Sequence, residues 1–252
     1  METFKPVLSV ITVVYNNVND IERTIKSVIN QSYNSIEYLI IDGASTDGTL
    51  ATIEKYKSKI CKIVSEKDNG IYDAMNKGLA LATGDYVLFM NSGDEIYESN
   101  TVEKIFATEA HADIYYGETE MLNANLDSQG VRRHQIPEKL TLSSFKYGMS
   151  VSHQAIYIKK AITKPYNLHY QLSADIDWIL SALTKAKKTV GVKFYVAKYL
   201  MGGMSKQKHF QSLKERFIIF SRYFGILPNI LNHCVIVFRL FIYYLKNNKT
   251  ND

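Results

Sequence analysis

Four strand-like runs in the first hundred residues each end on amides or acids. Asn16 follows residues 8–14, Asp42 follows 38–41, Glu66 and Asp68 follow 60–64, and Asn91 with Asp94 follow 86–90. A single acid at a strand end is ordinarily a turn former or a helix cap. Several in succession, converging on one edge of a sheet, suit a hard cation with oxygen ligands beside a ligand rich in hydrogen-bond donors. Another acidic pair, Asp175 and Asp177, opens a helix-like segment. Other chemistries lack their residues. No G-x-G-x-x-G follows the first run and no G-x-x-x-x-G-K-[ST] occurs, which disfavours dehydrogenases and P-loop enzymes. The absence of H-E-x-x-H, G-x-S-x-G and any Cys/His cluster removes the usual zinc and serine-hydrolase readings.

The elements that must carry these groups alternate. Residues 8–14 are almost continuously apolar and rich in β-branched side chains, which suits a strand buried on both faces of a parallel sheet. Asn19 or Asp20 is placed to cap a helix bearing Ile21, Ile25, Val28 and Ile29 on one face. Leu50, Ile53 and Tyr56 form a second helical stripe, and Ile71, Met75 and Leu79 a third, stopped by Gly84. This order predicts an α/β fold: an open, mostly parallel twisted sheet with helices on both faces and right-handed crossovers. In such sheets ligands bind beyond the carboxyl ends of the strands. The pattern loosens after about residue 110, where 114–116 and 155–158 read as strands and Trp178 sits in a helix beginning near Ser173.

The net charge of +5 is concentrated in the tail: from Lys206 onward there are eight Lys/Arg against two Asp/Glu, leaving 22 against 23 elsewhere. A nucleic-acid binder would more often spread its positive charge over the main domain, so a membrane surface or acidic partner is the better expectation for the tail. Cys61 and Cys234 fit neither a disulfide framework nor a metal knuckle and point to a reducing compartment. No secretory signal is expected from residues 1–6.

Four ordered blocks make the reading specific: SVITVVYN, IIDGASTDGT, DNGIYDAMNKGLALATGDYVLFMNSGDE and LSADIDW. Together, across roughly residues 7 to 180, they resemble the inverting family 2 glycosyltransferases of the GT-A fold, in the subgroup of bacterial cell-surface polysaccharide enzymes. The resemblance implies transfer of a sugar from a nucleoside-diphosphate donor, expected to be a UDP-sugar, to a hydroxyl of a glycan or lipid-linked acceptor. It puts Thr12, Tyr15 and Asn16 at the nucleoside, Asp42 at the base, and Asp68, Asn69 and Gly70 near the donor ribose and sugar. A helix cap is the plainer role for Asp42. Many relatives read Asp-Ser-Asp-Asp where this chain reads Asn91-Ser92-Gly93-Asp94, so Asp94 alone is the expected ligand for Mg²⁺ or Mn²⁺, with Asn91 at the ribose or diphosphate. Asp175 is the implied general base. His153, Gln154, Asp177 and Trp178 are carried to the acceptor side, with a structural His153, a capping Asp177 and a core-packed Trp178 as the plainer alternatives. Lys206 or His209, beyond the turn at Gly202, Gly203 and Ser205, are further candidates for the phosphates.

The expected organisation is a catalytic domain over residues 1–205 and basic, aromatic-rich helices over 206–252, broken at Leu227-Pro228. Residues 234–245 contain Arg239 and are too short and too charged to span a bilayer core of roughly 30 Å. The tail is therefore read as lying on the inner face of the cytoplasmic membrane, or else as packing on the domain or on a second copy in a homodimer. Competing functions are an inactive nucleotide-sugar-binding scaffold, which the missing acids keep open, and a sugar nucleotidyltransferase, which would carry a Gly-rich basic loop where Tyr15-Asn16-Asn17 stands. A processive synthase would carry transmembrane spans and a Gln-x-x-Arg-Trp block.

Overall fold

The computed structural model describes residues 5–132, 135–202 and 208–247. Strand β1 (Leu8–Val14) is buried at every position and lies between β2 (Ile36–Asp42) and β4 (Tyr86–Phe89), parallel to both. The edge strand β3 (Lys62–Ser65) pairs in parallel with β2. It begins later than expected because residues 57–59 form a 3₁₀ turn first. Helices α1 (Ile21–Ile29), α2 (Thr49–Glu54) and α3 (Ile71–Leu81) make the crossovers. Asp20 starts α1 but does not cap it through its side chain; its carboxylate lies 3.5 Å from Arg23 instead.

From β1 the chain moves outward to β2 and β3, then returns to the other side of β1 as β4. The carboxyl ends of β1 and β4 therefore lie side by side at a topological switch point, the place where an open α/β sheet forms a crevice. Beyond β4 the sheet becomes mixed. β5 (Glu95–Ile96) and helix α4 (Thr101–Thr108) follow at once, and then the long β6 (Ile114–Leu122) and the short β7 (Ser128–Val131) that pairs with it. β8 (Ile156–Lys159) inserts antiparallel between β4 and β6. β9 (Thr189–Leu200) runs parallel to β6 and antiparallel to β5.

Helix α5 (Ala174–Leu183) begins just after Ser173, as expected, and is buried along nearly its whole length. In the tail, α6 (His209–Phe224) packs against α5, and α7 (Ile226–Asn247) packs against α6. The break falls at Gly225, in a left-handed conformation at φ 85°, and not at Leu227-Pro228. Pro228 sits in the first turn of α7, where an amide hydrogen has no intrahelical acceptor and its loss costs nothing. Among the described residues no helix is long and apolar enough to cross a membrane.

Helix α3 approaches β1 and β2 through Gly78, where an added Cβ would lie 2.4 Å from Ile11 Cγ2 and 3.3 Å from Ile41 Cγ1. Overpacking at such a contact costs about 1–3 kcal/mol, against a gain of roughly 1 kcal/mol in helix propensity on replacing glycine by alanine. Gly78→Ala should therefore lower the urea midpoint at unchanged denaturant slope; a raised midpoint would show that α3 can retreat from the sheet freely.

Candidate active site

The crevice at the switch point is walled by the loops that leave β1 and β2. Asn16 takes a left-handed conformation at φ 46°, which asparagine tolerates better than most residues. Its amide N–H donates to Ser45 Oγ (2.8 Å) and its Oδ1 accepts from Thr46 N–H (2.8 Å), tying the first loop to the second. Tyr15 projects into solvent at the rim. Asp42 is completely buried. Its Oδ2 accepts from Ser65 Oγ (2.6 Å) and from Ser45 N–H (3.1 Å), while Oδ1 has no partner among the described residues. It is not a helix cap, since α2 starts only at Thr49. Asp68 and Gly70 line the same crevice with Tyr15, Asn17, Asn91 and Ser92, and Asp68 Oδ1 accepts from the Gly70 amide (2.9 Å). Asn69 is exposed, its amide bonded to Asp73 Oδ2 (2.9 Å). Thr12 does not reach the crevice. It is fully buried in the sheet, its hydroxyl 3.1 Å from that of Tyr38, so the expected nucleoside contact is corrected to a core role.

The turn after β4 is held from below by α1. Thr24 Oγ1 donates to the Asp94 carbonyl (2.8 Å) and accepts from Gly93 N–H (3.0 Å). Arg23 Nη2 donates to the Gly93 carbonyl (2.5 Å). Asn17 Nδ2 donates to Ser92 Oγ (3.0 Å). Gly93 itself sits at φ 103°, a conformation that disfavours a side chain. Thus the position that carries an acid in many relatives here carries the backbone bend. The Asp94 side chain points inward, 5% exposed, with a single long bond from Leu200 N–H (3.4 Å) and no cation within 4.0 Å among the described residues. Burial pushes its carboxyl up to about 7, opposed by the nearby charges of His153 and Arg23.

A cavity of about 440 Å³ opens beside this turn, and Tyr72, Asp94, His153, Asp175 and Tyr199 line it. Asp175 stands at the start of α5. Tyr72 donates its hydroxyl to Asp175 Oδ1 (3.3 Å), and His153 Nδ1 lies 3.7 Å from Asp175 Oδ2. Burial, then the charge of Asp175, pushes the Tyr72 phenol well above its ordinary range, so it stays a proton donor. His153 Nε2 is 3.1 Å from Asn91 Nδ2, linking the β4 turn to the Asp175 wall, and Asn91 Oδ1 is buried without a partner among the described residues. The arrangement sets the half-buried carboxylate of Asp175 and the buried carboxylate of Asp94 on one cavity.

Three residues expected on the acceptor side stand elsewhere. Asp177 is wholly buried: Lys164 Nζ lies 2.9 Å from one oxygen, and the Tyr223 hydroxyl donates to the other at 3.0 Å. Trp178 is stacked on Tyr166 (centroids 5.1 Å apart) and edge-on to Phe89, with Nε1 donating to the Lys164 carbonyl. Gln154 is buried beneath His153 and does not line the cavity. Gly203, Ser205 and Lys206 lie outside the described residues, as does the side chain of His209. The sequence reading missed Arg23, Thr24, Tyr72 and Tyr199. Tyr72 stood inside the longest motif, one position from its helical stripe; Arg23 and Thr24 carry no local signal for this role, since the turn they hold lies 69 or 70 residues along the chain.

The profile of the family described as Glycosyl transferase family 2 matches residues 9–164. A "PGL/p-HBAD biosynthesis glycosyltransferase" of Mycobacterium tuberculosis is 29% identical over 211 residues, covering 79% of each chain. The "Putative teichuronic acid biosynthesis glycosyltransferase TuaG" of Bacillus subtilis is 40% identical over 107 residues, 41% of this chain and 42% of that one. Among solved structures, S. aureus TarS 1–349 in complex with UDP superposes with a TM-score of 0.71 at 21% identity, covering 93% of this chain and 72% of TarS 1–349, which establishes a shared fold. The matched segment is more than half of the chain and holds the strand-end crevice, and the chain belongs to glycosyl transferase family 2.

Proposed function

We propose that this glycosyltransferase works by inversion and without processivity, moving a sugar from a UDP-sugar to a hydroxyl of a glycan or lipid-linked acceptor in cell-surface polysaccharide synthesis. The observation that carries the reading is the single cavity onto which both Asp175 and the buried, uncompensated Asp94 open. The unpartnered Asp42 Oδ1 suits the imide N–H of uracil, because a buried acceptor left without a donor costs about 1–3 kcal/mol. The UDP bound to TarS and the teichuronic acid role in the name of TuaG support the donor and the setting.

Asp175 takes the proton of the acceptor hydroxyl as that oxygen attacks the anomeric carbon, while the nucleoside diphosphate leaves from the opposite face. Tyr72 keeps the Asp175 carboxylate oriented by donating to Oδ1. Asp94 fits Mg²⁺ or Mn²⁺: it is a buried carboxylate with no counter-charge in contact, beside the unpartnered Asn91 Oδ1. Among the described residues no cluster of three His, Cys, Asp or Glu could hold an ion alone, and donor phosphates and water would have to supply the other ligands. A bound cation would neutralise charge developing on the leaving diphosphate.

The tail supports attachment to the cytoplasmic face of the membrane. Leu213, Ile218, Leu227, Leu231, Val237 and Phe238 are exposed on α6 and α7, with Lys214 and Arg222 exposed among them.

Four outcomes follow from this reading. Asp94→Asn should abolish the stabilisation that Mn²⁺ adds to the UDP complex in a thermal-shift titration. In the metal-free protein a raised Asp94 pKa stabilises the fold while the acid is neutral, and that stability is lost as pH rises through about 7. Cation binding must expel this proton, so the Mn²⁺ shift should be larger at pH 8 than at pH 6 in the wild type; equal shifts would remove Asp94 from the cation site. Asp175→Asn should leave the UDP shift intact and cut transfer by about 10²–10⁴-fold, and transfer at the wild-type rate would reject it as the base. Finally, the full chain should float with anionic vesicles at low salt and less at high salt, and Leu227→Ser with Leu231→Ser should prevent it. Sedimentation as a dimer without flotation would assign the same face to a second copy.

A further inference from the structure

Asp175 stands in the first turn of α5, and α6 holds that turn from outside. Ser173 occupies the N-cap position, yet its side chain makes no capping bond. Its hydroxyl turns to α6 instead, 3.4 Å from the Ser212 carbonyl oxygen and 3.3 Å from Ser212 Oγ. The two residues before it, Gln171 and Leu172, belong to no helix or strand and line the cavity together with Asp175. Their amides donate to one side chain of α6: Gln171 N–H to Glu215 Oε1 (3.1 Å) and Leu172 N–H to Glu215 Oε2 (2.9 Å). On the far side of Asp175, the Tyr223 hydroxyl of α6 lies 3.1 Å from the Asp177 carbonyl oxygen.

Glu215 is only 8% exposed, and its donors among the described residues, the two amides and Gln211 Nε2 (3.3 Å), are all neutral. Burying an ionised carboxylate is costly unless hydrogen bonds compensate it. Bonds to an ionised acceptor are also stronger than neutral ones. A carboxylate that takes two consecutive amides, one on each oxygen, fixes the direction of that backbone as well as its place. A glutamine of the same shape offers one acceptor and turns an N–H donor against the second amide. Glu215 does not itself line the cavity. What depends on it there is Asp175, whose contacts with Tyr72 (3.3 Å) and His153 (3.7 Å) come from other elements and are already long. A small shift of the start of α5 would lose both.

We propose that Glu215 is a positioning residue for Asp175: it sets the start of α5 so that the Asp175 carboxylate stays within reach of Tyr72 and His153. This rests on Asp175 being the base, as proposed above. It also extends the catalytic unit from residues 1–205 into α6.

The test places Glu215→Gln in two backgrounds, the wild-type full chain and Asp175→Asn. UDP release from UDP-glucose and from UDP-N-acetylglucosamine is measured with water as the nucleophile, which must lose a proton as an acceptor hydroxyl does. Hydrogen–deuterium exchange is followed in the same proteins. Glu215→Gln should speed exchange over residues 171–176 and leave it unchanged over 86–96, which carry the Asp94 turn. In the wild-type background it should lower kcat roughly ten- to hundred-fold at a KM within about two-fold. In the Asp175→Asn background the residual rate should change by less than about two-fold, because the group being positioned is gone. Ser212→Ala, which releases the Ser173 hydroxyl without removing a charge, should follow the same pattern more weakly and is read instead if Glu215→Gln does not fold. Unchanged exchange over 171–176, or an unchanged kcat, would overturn the proposal. Equal losses of kcat in the two backgrounds would do so as well, reducing Glu215 to a contact that only stabilises the fold. Failure of the base reading shows separately, as UDP release at the wild-type rate by Asp175→Asn alone. If neither UDP-sugar is turned over, that counts against the donor reading, and faster exchange confined to 171–176 still supports the role of Glu215.

Discussion

A carboxylate buried without a counter-charge is the constraint around which the site is built. Asp94 is held in place entirely through its own backbone and that of its neighbours: Thr24 grips the Asp94 carbonyl and the Gly93 amide, and Arg23 grips the Gly93 carbonyl. β5 follows immediately and is pinned to β9, whose last residue, Leu200, offers its amide to the acid. None of these contacts neutralises the carboxyl group. The fold therefore spends its hydrogen bonds on the position of the group and leaves its charge to be answered from the cavity, where burial would otherwise keep it protonated near neutral pH.

The opposite wall solves a different problem with the same residue type. Asp175 and Asp177 are two positions apart on α5, about 200° around the helix axis. The first faces the cavity with Tyr72 and His153; the second faces inward, where Lys164 and Tyr223 satisfy it. Tyr223 belongs to α6, and Glu215 on the same helix ties down the backbone that leads into α5. The tail is thus a brace for the acid-bearing helix as well as the carrier of an exposed apolar face. That double role explains why α6 contains buried Ile219 and Phe220 beside exposed Leu213 and Ile218.

How much of this was legible in the chain depended on the sequence distance of the contacts. The β1–β4 half could be read because each strand is a contiguous apolar run and each crossover helix shows its own stripe. The strand-end groups Asn16, Asp42, Asn91 and Asp94 follow directly from that pattern. The mixed half could not be read in the same way. β8 inserts between β4 and β6, pairing residues roughly 70 and 40 positions apart, and no local periodicity records such a choice. Thr12 shows a limit of a different kind. In a strand buried on both faces, alternation does not say which side chain emerges at the crevice, and this one turned to Tyr38. Trp178 and Asp177 were open between the acceptor side and a structural role for a related reason: helix geometry separates their directions from that of Asp175, but only Tyr166, Lys164 and Tyr223 decide that those directions lead into the core.

The two halves of the site differ in how they are encoded. The strand-end half is assembled at the carboxyl ends of parallel strands, so its groups occur in motif blocks of fixed spacing. The wall that carries Asp175 is assembled from a loop after β7, a 3₁₀ turn before β8, the start of α5 and a face of α6, elements joined only by tertiary contacts. The two walls meet where His153 Nε2 approaches Asn91 Nδ2 (3.1 Å), while the backbone of the Asp94 turn is held by Arg23 and Thr24 of α1. The Asp94 turn is therefore fixed by the parallel sheet and α1, whereas the Asp175 wall is fixed by segments that only the tertiary fold brings together.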